Sequence, residues 1–195
     1  MAENSLVDAQ AETTKSIETR TDLELIAAIN SGDTDAFEVL YLRYRDWVTG
    51  LACRFTRDDD LALDVLQETF LYFLKKFPGF VLTSQLKTFL YPVVKNLSIA
   101  ARRKAQRHQS TESELATLEH TPTAEARSSS GDLAIVLGNL PHEQREVLLL
   151  RFVDGLNLNE IADAMEIPLG TVKSRLHNAL ASLRNDPRTK NFFDE

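Results

Sequence analysis

Between Pro168 and Asn185 the chain carries Thr171, Lys173, Ser174, Arg175, His177 and Asn178 among regularly spaced apolar residues, and no acid. Cationic side chains clamp phosphates, while hydroxyl, imidazole and amide groups hydrogen-bond to base edges. That mixture on the outer face of one helix is suited to DNA. The apolar complement is Val172, Leu176, Leu180 and Leu183, at steps of four, four and three, which makes one face of an amphipathic helix. A shorter stripe of Leu158, Ile161, Ala162 and Met165 precedes it. Asn157 with Glu160 three residues later has the form of a capping box and starts that first helix. Ala162 is small where two helices have to cross closely, and Pro168 suits the opening of the second helix, where a missing N–H costs little. Two helices joined by a turn of about three residues form a helix-turn-helix, which places its second helix in the DNA major groove. An ordinary helical hairpin with a solvated outer face would share the periodicity. The acid-free outer face with Lys173, Arg175 and Arg184 favours DNA.

A net charge of −7 over 195 residues argues against a nucleic-acid partner until the charges are mapped. From Thr69 to Thr111 there is no Asp or Glu, and eight cations: Lys75, Lys76, Lys87, Lys95, Arg102, Arg103, Lys104 and Arg107. Acids collect instead in residues 1–30 and 112–132. Such a division lets one surface hold nucleic acid while another meets a protein.

These surfaces need helices to carry them. Seven glycines and six prolines are few for this length, and the amphipathic stretches are long, so the fold expected is all-α. A short helix is expected from about Asp22 to Asn30, broken at Ser31-Gly32-Asp33. The next runs from about Thr34 to Phe55, with a stripe of Phe37, Tyr41, Tyr44, Val48, Leu51 and Phe55. Asp58, Asp59 and Asp60 then cap a helix reaching about Phe77, ahead of Pro78-Gly79. A further helix opens near Ser84 and continues into the basic cluster, with Leu86, Leu90, Val93 and Leu97 inward and Pro92 expected to kink it. Residues 109–131 are polar and acidic and end in Ser-Ser-Ser-Gly, which reads as a flexible linker. The organisation expected is a disordered tail over 1–20, a helical domain over 21–108, the linker over 109–131, a second helical domain over 132–187 and a C-terminal tail over 188–195. In the second domain a helix from Pro141 to about Val153 precedes the helix-turn-helix.

Other chemistries find little support. Asp58, Asp59, Asp60 and Asp64 could suggest a magnesium site, but no second carboxylate cluster has suitable spacing, and helix capping accounts for them. His108, His120, His142 and His177 are scattered, and Glu146 stands where a zinc-protease motif starting at His142 needs its second His. No nucleophile–base pairing stands out. No catalytic residue, metal or cofactor is expected. Cys53 is the sole cysteine, which excludes an intrachain disulfide and suits core packing in a reducing compartment. The first twenty residues lack the basic and apolar regions of a signal peptide, and no apolar run is long enough to span a membrane. A soluble, cytoplasmic protein that does not insert into membranes is expected.

Taken together, DAFEVLYLRY at 35–44, DVLQETFLYF at 64–73, LKTFLYPVVKNLSIAARRK at 86–104, LPHEQREVLLLRF at 140–152 and EIADAMEIPLGTVKSRLHNALASLR at 160–184 resemble the extracytoplasmic-function (ECF) sigma factors of the sigma-70 superfamily. The likeness covers about residues 22–107 and 132–185 and implies a region 2 helical bundle and a region 4 helix-turn-helix. It implies a non-enzymatic protein that binds core RNA polymerase, directs it to −10 and −35 promoter elements and helps open the DNA, in a stress or envelope-signal response.

The resemblance also implies roles for residues. Asp64, Gln67, Glu68 and Leu71 match the surface that docks on the clamp helices of the largest polymerase subunit. Asp64, Glu68, Leu71 and Lys75 also share one stripe, beside the more apolar Leu66, Phe70, Phe73 and Phe77. The basic helix matches the −10 reader, with Asn96, Arg103 and Arg107 on one face and Lys95 and Arg102 on the adjacent one. The loop from Pro78 to Ser84, with Phe80, matches the place where relatives capture an unstacked base; closing the core over the turn is the alternative for Phe80. The final helix matches the −35 reader, with Lys173 and Arg175 foremost and Thr171, Ser174, His177 and Asn178 as partners. The helix from Pro141 to Phe152 would face the flap of the second-largest subunit, although Val147, Leu148 and Leu150 also suit domain core. An anti-sigma factor is a further partner in this family. The sequence departs from the family pattern at Glu166, where relatives usually have Gly, at Phe89, where many have Trp, and at Pro92. If Glu166 is left-handed, its strain is about 1–2 kcal/mol.

Overall fold

The computed structural model describes residues 19–113 and 132–189. The expected N-terminal tail up to residue 18, most of the expected linker and the last six residues lie outside the described residues. Eight α-helices and no strand occur among the described residues, and the chain divides into two compact units, one ending at Arg107 and the other beginning at His108.

In the first unit, α1 (Asp22–Asn30) starts in a capping box that the sequence reading missed. Thr21 Oγ1 accepts the Glu24 N–H at 3.3 Å, and the Glu24 carboxylate accepts the Thr21 N–H at 2.7 Å. The Thr21 N–H, with its hydroxyl, holds the Glu24 carboxyl below the usual carboxylate range. Asp33 caps α2 (Thr34–Thr56) by accepting the N–H groups of Asp35 and Ala36 at 3.0 and 3.1 Å. Asp22 ties α1 to α2, accepting from Arg43 at 2.6 Å and from the Tyr44 hydroxyl. Burial, followed by the adjacent Asp22 carboxylate, raises the Tyr44 phenol pKa.

α2 buries Ala36, Leu40, Val48, Leu51, Ala52 and Thr56, while the expected Phe37, Tyr41, Tyr44 and Phe55 are half-buried. Asp58 caps α3 (Asp59–Leu74) through Leu61 N–H at 2.9 Å, which accounts for part of the aspartate run without a metal. α3 ends three residues before the expected Phe77. Residues 75–77 tighten into i→i−3 bonds, Lys76 N–H to Phe73 O at 3.0 Å and Phe77 N–H to Leu74 O at 3.1 Å. That is a common helix ending ahead of a proline, which disfavours helical backbone in the residue before it.

α4 (Leu86–Ser113) differs from expectation at both ends. It opens two residues later than Ser84 and runs five residues into the stretch assigned to the linker, continuing a helix whose preceding Ala, Arg, Lys and Gln residues are strong helix formers and meeting no Gly or Pro there. The helix is continuous through Pro92. Its inward face includes Leu86, Leu90, Tyr91, Val94 and Ser98, whereas Val93 and Leu97 are half-buried. The expected Leu86 and Leu90 are therefore in place, and beyond them the stripe shifts by one residue, from Val93 and Leu97 to Val94 and Ser98. Rings weld the unit together: Phe73 of α3 meets Phe37 of α2 at 6.0 Å and Phe89 of α4 at 5.9 Å between centroids, and Phe55 meets Tyr91 at 6.3 Å.

The second unit contains α5 (Asp132–Asn139), α6 (His142–Phe152), α7 (Leu158–Met165) and α8 (Leu169–Asn185). Arg145 of α6 donates to the carbonyls of Leu137, Gly138 and Leu140 at 2.6, 2.5 and 2.9 Å, satisfying groups at the end of α5 that have no helical donor. Val136, Leu140, Leu148, Ala179 and Leu183 form a core, with Leu137, Leu176 and Leu180 packed against it.

Candidate nucleic-acid and polymerase interfaces

The helix-turn-helix is built by local chemistry. Asn157 Oδ1 accepts the N–H groups of Asn159 and Glu160 at 2.9 and 3.0 Å, and Glu160 returns a carboxylate to the Asn157 N–H at 2.7 Å. The expected capping box is thus present at the start of α7. α7 ends at Glu166 in the left-handed region (φ 55°, ψ 43°), and Pro168 immediately precedes α8. Ile161, Ala164, Val172, Ala179 and Leu183 are buried; Leu158, Ala162, Met165, Leu176 and Leu180 are half-buried.

On the outer face of α8, Lys173, Ser174, His177 and Asn178 are exposed and Thr171 is half-buried. Arg175 departs from the outward position expected of it. Its side chain is 21% exposed, and its guanidinium lies 2.5 Å from the Glu143 carboxylate of α6. The sequence reading of α8 as acid-free was correct for the helix itself, but this acid arrives from a helix packed against it.

In the first unit, Asn96, Arg102, Arg103 and Arg107 of α4 are exposed, together with Lys104. Lys95 is half-buried, with its ammonium 5.7 Å from the Tyr91 ring centre and 5.8 Å from that of Phe55, a cation–π arrangement rather than an open phosphate clamp. Phe80 is half-buried, its ring 4.9 Å from Phe89, 5.3 Å from Phe73 and 5.5 Å from Phe77. Its ring packs over the turn against these three rings and keeps part of its surface open. The neighbouring Val81 is 76% exposed, and Thr83, Ser84 and Gln85 are also exposed.

Asp64, Gln67, Glu68 and Leu71 are all exposed on α3, Leu71 at 56%. Leu63, Tyr72 and Leu74 add further exposed apolar area, whereas Leu66, Phe70 and Phe73 face the core. In the second unit Val147, Leu148 and Leu150 are buried, so they serve the core. Phe152 and Val153 are the exposed apolar residues at the end of α6. Cys53 is half-buried, its Sγ 3.5 Å from Asp59 Oδ1. Among the described residues no cluster of three or more His, Cys, Asp or Glu could hold a metal, and no helix is long and apolar enough to cross a membrane.

One contact escaped the sequence reading entirely. Asn30 accepts the N–H groups of Gly79 and Phe80 and donates to the Phe80 carbonyl. Nothing in a helix-terminal Asn before Ser-Gly-Asp signals a partner fifty residues away.

The sigma-70 region 2 family model matches residues 40–108, and the sigma-70, region 4 model matches residues 136–185. The ECF RNA polymerase sigma-E factor of Haemophilus influenzae is 30% identical over 179 residues, covering 85% of this chain and 94% of that protein. The ECF RNA polymerase sigma factor SigW of Bacillus subtilis is 29% identical over 177 residues, covering 84% and 95%. Among solved structures, the sigma factor RpoE in complex with the anti-sigma factor NepR from Bartonella quintana aligns with a TM-score of 0.56 and 26% identity, covering 76% of this chain and 94% of that one. CnrH in complex with the cytosolic domain of CnrY shares the fold, with a TM-score of 0.60 at 22% identity, covering 89% and 97%. With both sigma-70 regions matched and relatives covered almost end to end, the chain belongs to the ECF RNA polymerase sigma factors of the sigma-70 family.

Proposed function

We infer a division of labour in which each unit reads one promoter element and α3 docks the polymerase. As an ECF sigma factor the protein binds core RNA polymerase and promoter DNA and supports promoter-specific transcription initiation. We assign −10 recognition to residues 21–108, through Asn96, Arg102, Arg103 and Arg107 and the loop from Pro78 to Ser84. We assign −35 recognition to residues 132–187, through Lys173, Ser174, His177 and Asn178, with Thr171 and the paired Arg175 at its edge. Phe80 and Lys95 support the −10 surface from within. The exposed mixed stripe of Asp64, Gln67, Glu68 and Leu71 is the proposed contact with the clamp helices. Such stripes of polar and apolar side chains suit a protein interface. Phe152 and Val153 are the apolar residues of α6 available to the flap.

The observation that carries this assignment is the coexistence of an exposed basic helix and a capped helix-turn-helix with an exposed polar face. The protein acts without catalysis of its own, in the cytoplasm where its polymerase works, and takes no cofactor. An anti-sigma factor is its proposed regulator, supported by the related sigma factor RpoE held by NepR. A stress or envelope signal is the proposed trigger.

Run-off transcription with purified bacterial core polymerase and genomic promoter fragments tests the assignment. Discrete transcripts should require both components, and Arg103→Ala and Lys173→Ala should each reduce them. Tight binding to DNA alone, with no transcripts from a competent core, would overturn it in favour of a free-standing regulator.

A further inference from the structure

Asn30, the last residue of α1, reaches the loop that joins α3 to α4. Its Oδ1 accepts the N–H of Gly79 at 2.6 Å and of Phe80 at 3.1 Å, and its Nδ2 donates to the Phe80 carbonyl at 2.8 Å. One side chain thus satisfies three backbone groups in a stretch with no helical ladder of its own. Gly79 has φ +99°, a backbone that L side chains rarely adopt, and this turn lets two successive amides converge on one oxygen. At its other end α1 also flanks the loop. Thr21, Asp22 and Leu23 line an open depression of about 370 Å³ with Leu82, Thr83, Ser84 and Gln85.

The loop is therefore held from two sides at the same residue. The Phe80 ring is fixed by Phe73, Phe77 and Phe89, and the Phe80 backbone is fixed by Asn30. Immediately beyond this anchor the chain becomes exposed at Val81 and again over residues 83–85. A surface meant to meet an unstacked base gains most from being ordered beforehand, because ordering it during capture adds to the cost of extracting the base.

We propose that Asn30 is a positioning residue for promoter opening: it sets the backbone of the Gly79–Phe80 turn so that the exposed residues after it meet the extracted −10 base in one arrangement. The inference rests on the reading of the Pro78–Ser84 loop as the base-capturing element. α1 thereby acquires a part in DNA reading although it carries no proposed DNA contact.

The test uses holoenzyme assembled from core polymerase and the full chain, with permanganate footprinting of opening on an active duplex promoter and on versions with single-base changes in the −10 element. Asn30→Ala removes all three bonds and should slow opening about tenfold, while narrowing the spread of rates among the −10 variants. Asn30→Asp keeps the two acceptor bonds and should recover part of both. Affinity for core polymerase should stay at the wild-type value, since the α3 surface is untouched. The double variant Thr83→Ala/Ser84→Ala tests the loop directly. If it narrows the spread and Asn30→Ala does not, the inference about Asn30 is wrong and the loop reading stands. If neither variant narrows it, the loop reading fails and the inference with it. A uniform loss on all promoters, in step with a lower melting temperature, would reduce Asn30 to a purely structural residue and overturn the proposal.

Discussion

On α4, Arg102, Arg103 and Lys104 stand exposed on a helix whose own sequence has no acid before Glu112; on α8, Lys173 is exposed but Arg175 is held by Glu143. The two helices proposed to face DNA therefore present charge differently. Exposed cations next to phosphates release counterions and raise affinity for any sequence, with a salt slope of about 0.9 per phosphate neutralised. A guanidinium already engaged by a carboxylate adds less net charge, but its direction is restrained. The difference suggests that the first unit contributes more of the general attraction, while the second relies on the placement of a few polar groups. It also shows why the overall charge of −7 is no guide to either surface.

The largest effect expected is on α4. Arg102→Ala/Arg103→Ala should weaken promoter binding by holoenzyme about tenfold per lost charge-assisted contact, and lower the salt slope by about 0.9 for each. A titration of binding against potassium chloride measures both. An unchanged slope would mean that these arginines do not meet phosphates, and the contrast with α8 would disappear.

Glu143→Gln sharpens the comparison from the other side. The pair is partly exposed, so its own strength is modest. Releasing Arg175 and removing an acid should strengthen −35-dependent binding about threefold and steepen its salt dependence. Weaker binding would instead identify Glu143 as a brace that presents Arg175 to the DNA. Pairing this variant with Arg175→Ala in a double-mutant cycle would separate the two cases.

The smallest effect concerns the turn. Glu166 holds a left-handed backbone at φ 55° that a Cβ disfavours. Glu166→Gly should stabilise the second unit by about 1 kcal/mol, seen as a rise in melting temperature of about 4 °C. The −35 salt slope should remain within error of wild type. A fall in melting temperature would show that the side chain makes a compensating contribution.

The features legible in the sequence were those whose cause lies within one turn of helix. The Asn157–Glu160 capping box and Pro168 at the head of α8 follow from neighbours in the chain, whereas the left-handed backbone at Glu166 was signalled only by the Gly that the family pattern has there. Periodicity located most helices but did not select between overlapping stripes. On α4 the expected Val93 and Leu97 lost the deepest positions to Tyr91 and Val94, because apolar residues stand on both sides of the helix and only the packing of α2 and α3 chooses among them. The reach of α4 to Ser113 was hidden because residues 109–113 are polar and read as linker, although they contain no Gly or Pro to stop a helix already formed by the Ala, Arg and Lys residues before them.

The sequence alone determined the all-helical architecture, the helix-turn-helix and the separation of basic from acidic segments, since spacing, caps and charge are properties of neighbouring residues. Tertiary structure decided that the Phe80 ring packs against Phe73 and Phe89, that Lys95 lies over the Phe55 ring of α2, that Arg175 is paired with Glu143 and that Asn30 holds the Gly79–Phe80 turn. Each of these depends on groups brought together from segments distant in the chain. Hydrogen bonds and ion pairs act over a few ångströms, so the identity of such a partner is set by the packing and not by the local order of the chain.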